Sequence, residues 1–231
     1  MLSTNDLAVL SNIFEPELGL STGVLIDSAL PDDPHITDND TWIVIKEREK
    51  AIILEVENIL KNKEPRSSLR QQGQDMKQLI ELYPSCACLF NDYAQIQRLL
   101  HGDDLTSGHC PEMTAEVYKN LTTAITLLTP PMYQTVISPV QCRTLAQAHT
   151  QRGALLHGLA RASASRPTEK LSDLLADSMK MDLQEAASRD FLMGGRYGNE
   201  VSKALAVHAN PTAKLCGQIL HNAMRQEYAS A

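Results

Sequence analysis

Apolar residues in this chain recur at helical spacing in one segment after another, and nowhere do β-branched residues alternate for long enough to make a sustained strand. The stretch from Thr37, TDNDTWIVIKEREKAIILEVENILKNK, opens with a cap-type residue and acidic residues in its first turn. Ile45, Ile52, Val56, Ile59 and Leu60 follow at intervals of one or two turns, and Pro65 ends the pattern. The same reasoning predicts helices over about Leu69–Leu82, Cys86–Leu100 and Met113–Leu128, then one opened by Ser138 and Pro139 that reaches about Ala162. A further helix starts after Pro167 and Thr168 and runs through EKLSDLLADSMKMDLQEAASRDFLM. Only 4% of the residues are aromatic, so aliphatic side chains must fill the core. The expectation is an all-α protein of antiparallel helix pairs.

Two segments break that regularity. Residues 1–37 read as a short amphipathic helix over Thr4–Phe14, capped by Ser3, followed by an irregular arm in which Pro16, Gly19, Gly23, Pro31 and Pro34 prevent an uninterrupted helix. The arm is expected to lie over a groove or on the surface. Residues 38–231 form the helical domain. Near its end, GGRYGNEVSKALAVHANPTAKLCG concentrates glycines and an Asn-Pro. Gly194-Gly195 suits a helix end, with one glycine in the left-handed position. Asn199 caps a short helix over Glu200–His208, and Asn210 with Pro211 opens a last one to about Tyr228, with Leu215, Ile219, Leu220 and Met224 on its buried side. This last helix would cover the exposed face of a stack.

Within the helical domain small residues recur where two helices of a pair must cross closely. Ala94 in FNDYAQIQRLL matches a second helix bearing Val117, Leu121 and Ala124. Gly153 in AHTQRGALL matches one bearing Ala187, Phe191 and Gly194. A degenerate first pair would use Leu60, Met76 and Leu79. These pairs fit a tetratricopeptide-like helical-repeat superhelix with insertions at 101–111 and 130–138. The strings LFNDYAQIQRLLHGD, QAHTQRGALL and EAASRDFLMGGRYGNEVSKALAVHANPTAKLCG together resemble the tetratricopeptide repeat protein 36 family, in its fungal-type members. The resemblance spans residues 35–228 and is strongest over 139–228. It implies a three-repeat, non-catalytic adaptor associated with chaperones of the seventy-kilodalton heat-shock class, with no cofactor. Thr212 departs from the pattern, which has an aromatic residue there.

In such a superhelix the first helices line a concave surface, so Asp92, Tyr93, Gln95, Gln147, His149, Gln151 and Arg152 become the groove candidates. Binders of an acidic chaperone tail converge Lys, Arg and Asn on the carboxylate. Here the corresponding positions are Asp92, Gln147 and Gln151; one repels an anion and two carry no charge. The sequence leaves the facing of Arg98 and Arg152 open. A changed groove invites a changed ligand, so the alternative is an enzyme or small-molecule-binding accessory protein. His149 and His157, eight residues apart, could then form an acid–base pair, or a histidine could work with Asp92 or Tyr93 across the concave pocket, although packed helix histidines explain the spacing more simply. His208 and Cys216 straddle the Asn-Pro turn.

Other chemistry is less well supported. Cys86 and Cys88 lie two apart, which on a helix separates them, and no second CxxC or His pair completes a metal site. His101, His109 and Cys110 share a polar loop with Asp103 and Asp104 that reads as solvated surface. No nucleotide-loop, zinc-protease or nucleophile-elbow motif occurs. The net charge of −7 supplies no basic surplus for nucleic acid or an anionic membrane. Five cysteines, without a signal-type apolar segment over the first 30 residues, point to a reducing compartment, cytoplasmic or nuclear.

Overall fold

The structure is a computed structural model that describes residues 24–107, 109–130, 136–163 and 182–210, together with Arg225. The expected helices over Thr4–Phe14 and beyond Pro211 lie outside these residues, as do Thr212 and Cys216. The described chain is helical: α1 (Asn39–Lys61), α2 (Leu69–Leu82), α3 (Ala87–His101), α4 (Asp104–Ser107), α5 (Pro111–Leu128), α6 (Pro139–Ser163), α7 (Leu183–Arg196) and α8 (Glu200–Ala209). Two two-residue strands, β1 (Leu25–Ile26) and β2 (Val136–Ile137), pair in parallel. No described helix is long and apolar enough to cross a membrane.

Local chemistry explains most boundaries. Asp38, not Thr37, is the N-cap of α1, and its carboxylate accepts from Thr41 N at 2.9 Å. Ser138 Oγ accepts from Gln141 N at 3.1 Å at the start of α6. Asp182 caps α7 through Gln184 N, so this helix begins at Leu183; the part of the expected helix before Asp182 lies outside the described residues. Asn199 caps α8 through Ser202 N. The 101–111 stretch, expected as a loop, contains α4, whose Leu105 is buried. The glycine-rich segment departs from expectation. Gly194 and Gly195 lie inside the last turn of α7, and the left-handed glycine is Gly198, at φ 92°. The double glycine serves proximity. A Cβ on Gly194 would collide with Ser202 and Thr150, and one on Gly195 would press on the Lys203 backbone at 3.0 Å.

Each long helix packs on the next along the chain, with α3 on α5 past the short α4; α3 also touches α6, and α4 packs mainly on α6. Contacts between α6 and α7 run in opposite directions. Gly153 faces Ala187 and Phe191, while Thr150 faces Gly194. Between α3 and α6 the order is the same in both: Asn91 meets Gln147 and Arg98 meets Gln151. Antiparallel pairs stacked with their first helices side by side are the geometry of a helical repeat. The expected crossings are occupied as anticipated. Ala94, Val117, Leu121, Ala124, Ala187 and Phe191 share one core cluster with Leu156 and Leu159. Burial of each large apolar side chain there contributes roughly 1.5–3 kcal/mol. In the first pair Met76 and Leu79 are buried, but Leu60 is 48% exposed; Ile59, one residue earlier, turns inward instead.

The described part of the arm runs across the ends of several helices. β1 pairs with β2 before α6, and His35 Nε2 lies 2.8 Å from Leu127 O at the end of α5. Trp42 Nε1 donates to Asp32 Oδ2 at 3.0 Å. Buried Asp33 accepts from Ala87 N at 3.2 Å and from His35 N at 2.8 Å. Since Cys86 provides no side-chain cap, Asp33 serves the first turn of α3 from more than fifty residues away.

Candidate functional site

The side chains marked out in the sequence fall into three separate groups. The first joins α3 to α6 on the inner face. Asn91 Nδ2 donates to Gln147 Oε1 at 3.2 Å, and Gln151 Nε2 donates to Asn91 Oδ1 at 3.0 Å. Arg98 Nη1 donates to Gln151 Oε1 at 3.2 Å. Gln95 and Gln147 are exposed, one turn of α3 and one of α6 presenting amides to solvent. Asp92 stands at the edge nearer α1. Burial pushes its carboxyl above the usual range, while the Asn91 amide and the Lys46 ammonium act in the opposite direction.

A second group lies deeper, between α6, α7 and α5. His149 Nδ1 is 2.8 Å from Asp190 Oδ1. Arg152 grips the same carboxylate through Nε and Nη2, each at 2.8 Å, and gives Nη1 to Thr122 at 3.1 Å. Its guanidinium also sits 5.7 Å from the centre of the Tyr118 ring, and the His149 ring stacks on Tyr197 at 5.9 Å. Burial by itself would raise the Asp190 carboxyl; hydrogen bonds from His149 and Arg152 outweigh it and hold the group below the usual carboxylate range. His149 and Asp190 are each only 5% exposed. The acid–base arrangement of His149 with Asp92 or Tyr93 is therefore not formed: its partner is Asp190, and both of that carboxylate's oxygens are already engaged.

Tyr93 belongs to neither group. It points away from Gln147 and Gln151, and its hydroxyl donates to Glu116 Oε1 of α5 at 2.9 Å, with Lys77 Nζ 4.0 Å from the same oxygen. Burial, then Glu116, pushes its phenol upward. This contact borders a wide groove of about 930 Å³ between α2 and α5, lined also by Phe90 and Tyr118.

The two α3 cysteines meet after all. Cys86 Sγ and Cys88 Sγ are 3.4 Å apart, because Cys86 precedes the helix and so escapes the rule that separates positions two apart on a helix. Lys46 Nζ, ion-paired with buried Glu49, lies 4.0 Å from Cys88 Sγ. The hydrogen bond to Cys86 and then burial push the Cys88 thiol up, away from a reactive thiolate. His109 binds Ser107 and approaches Asp104 at 3.8 Å on the surface. Among the described residues no three His, Cys, Asp or Glu side chains are grouped to hold a metal ion.

Sequence reasoning missed Asp190, Asn91, Lys46 and Glu116. For Asp190 a signal was present: it interrupts the small and apolar stripe Ala187, Phe191, Gly194 on the face that packs against α6. A charge in that position requires partners across the interface.

Stacked antiparallel pairs with a shared inner face define a helical-repeat protein of tetratricopeptide-like architecture. More particularly, the chain belongs to the family of the L-tyrosine degradation gene cluster protein hmgX of Aspergillus fumigatus, to which it is 34% identical over 98% of its own length and 93% of that protein's. It is also similar to the tetratricopeptide repeat protein 36 homolog of Drosophila melanogaster, at 28% identity over 97% of this chain and 95% of the other. No family model and no solved structure matches it.

Proposed function

We propose that this chain is a non-enzymatic helical-repeat adaptor that serves L-tyrosine breakdown by binding another protein through its inner face. The single observation that carries the catabolic part is the end-to-end likeness to a protein named for an L-tyrosine degradation gene cluster. The non-catalytic part is supported by the way the polar side chains are used. His149, Arg152 and Asp190 satisfy one another in a dry interface, and Asn91, Gln147 and Gln151 do so on the inner face. Side chains consumed in this way position helices; none is left beside an activated nucleophile. Exposed Gln95, and the amino end of Gln147, whose carbonyl alone is engaged by Asn91, offer hydrogen bonds to a partner's backbone.

A heat-shock chaperone of the seventy-kilodalton class is the partner the family resemblance implies. With Asp92, Gln147 and Gln151 at the clamp positions, such a chaperone would be held through contacts other than its acidic tail.

Deleting the gene for this chain in its source organism, followed by growth on L-tyrosine as sole nitrogen source, tests the reading. Slow growth restored by the wild-type chain, and co-purification of an enzyme of tyrosine breakdown in near-stoichiometric amount, are the expected results. Normal growth of the deletion strain would reject the catabolic role. Turnover of a tyrosine-derived compound by the purified chain alone would reject the adaptor role.

A further inference from the structure

Among the described residues, a positive charge without a counter-charge stands in the cleft where α3, α4 and α6 meet. Arg98 is half-buried, and burial pulls its guanidinium below the usual arginine range. Its one described hydrogen bond goes to a neutral acceptor, Gln151 Oε1. Gln151 is fixed in turn by Asn91, so the carbonyl end of its amide is aimed at Arg98. Among the described residues no carboxylate forms an ion pair with this guanidinium. By contrast Arg152, of similar depth, has the whole Asp190 carboxylate. A partly desolvated guanidinium left with an amide oxygen favours any anion that can reach it.

The cleft is built to admit one. It has a volume of about 260 Å³, and Leu99 and Ala154 give it aliphatic surface beside the polar groups of Arg98, Gln95, Asp103 and Thr106, with Leu105 and Leu155 buried behind them. One end is shut by α4: Thr106 lies so close to Gly158 that a Cβ there would stand 2.6 Å from its methyl. Asp103 is at the exposed mouth. The volume falls below the ~300–1,000 Å³ of sites for drug-sized ligands, so the occupant is small. The one guanidinium that lines the cleft also differs from the converging cations that hold an extended acidic peptide.

We propose that this cleft binds a small organic acid as its carboxylate, the anionic group on Arg98 and the apolar body against Leu99 and Ala154. The site is independent of the protein-partner reading, and either can fail alone.

Titration calorimetry of the full chain with sodium benzoate and sodium phenylacetate, beside benzamide and phenylacetamide, tests it. Both acids should bind saturably, and the amides at least about tenfold more weakly, as loss of a charge-assisted contact requires. Arg98→Gln removes the charge while keeping an amide near Gln151. It should weaken acid binding at least about tenfold and leave the melting temperature unchanged or higher, since the unbalanced charge is gone. Ala154→Leu narrows the cleft without touching the charge and should also weaken the acids. The site is rejected by acids and amides binding alike, by no acid binding at millimolar concentration, or by Arg98→Gln binding as the wild type does. A tetrapeptide with a free C-terminus that binds where the small acids do not rejects it too, and reassigns the cleft to a chain end. Should Arg98→Gln not fold, unchanged acid affinity in Ala154→Leu rejects the proposal by itself.

Discussion

At Asp190 one carboxylate answers three donors from α6, His149 Nδ1 and the Nε and Nη2 of Arg152. Because the folded carboxyl is held below its ordinary range, its stabilising contribution is fully present above the unfolded value, about 3.9, and is lost as pH falls through the folded value. Asp190→Asn leaves Arg152 without its counter-charge in a buried place and should cost about 3–5 kcal/mol at pH 7 by urea unfolding. The variant should also lose less stability than the wild type on acidification below about pH 4. Asp92 has the opposite sign. Its carboxyl is raised, chiefly by burial, so its ionised form opposes folding, and stability falls as pH rises through the folded value. Asp92→Asn is therefore expected to be as stable as the wild type or more so at pH 7, and a markedly lower unfolding midpoint would contradict this account. Part of this was legible. Asp92, Gln147, His149, Gln151 and Arg152 were marked from repeat positions. Which of them share a network was not, because Asp190 lies 38 to 41 residues from its partners and nothing local ties them together.

The helix ends show how one residue type does two jobs. Gly198 is needed for its backbone: at φ 92° a side chain is strained even though nothing lies within 4 Å of it. Gly194 is needed for space, with Ser202 and Thr150 against it. Gly198→Ala should cost about 1 kcal/mol, and Gly194→Ala about 1–3 kcal/mol, because α8 must move away from α7. Thermal denaturation of the two variants separates them: only the second should disturb the Ser202 Oγ bond to Phe191 O and loosen α8. From the sequence α1, α2, α3, α5, α6 and α8 could be placed within a few residues, since caps and breakers act locally, whereas α4 and the start of α7 could not. Which glycine in GGRYG turns the chain could not, because both roles call for the same missing Cβ. Leu60 and Ile59 illustrate a similar limit. Adjacent apolar residues differ by 100° around a helix, and the packing of α1 on α2 selects Ile59.

In the molecule as a whole, the repeats contact mainly their neighbours, and the arm is the exception. It reaches α3 through Asp33, α5 through His35 and the start of α6 through Ser138, whose Oγ donates to Asp32 O at 3.0 Å. Asp33→Ala with His35→Ala removes the distant cap of α3 and the tie to α5. It should lower the melting temperature by roughly 4 °C or more, the shift that a loss of about 2 kcal/mol produces in a chain of this size. An unchanged melting curve would mean the arm only rests on the helix ends. The residues of the chain alone determined that it is helical, where its long helices run, and that Ala94 and Gly153 sit at close crossings, because period, capping and side-chain size act within a few turns. Only the tertiary structure decided that Asp33 caps α3, that Asp190 joins His149 to Arg152, that Tyr93 turns toward Glu116, and that Arg98 meets Gln151 and no carboxylate among the described residues. Those meetings link residues 23 to 54 positions apart, and the distances involved are set by how the helices stack.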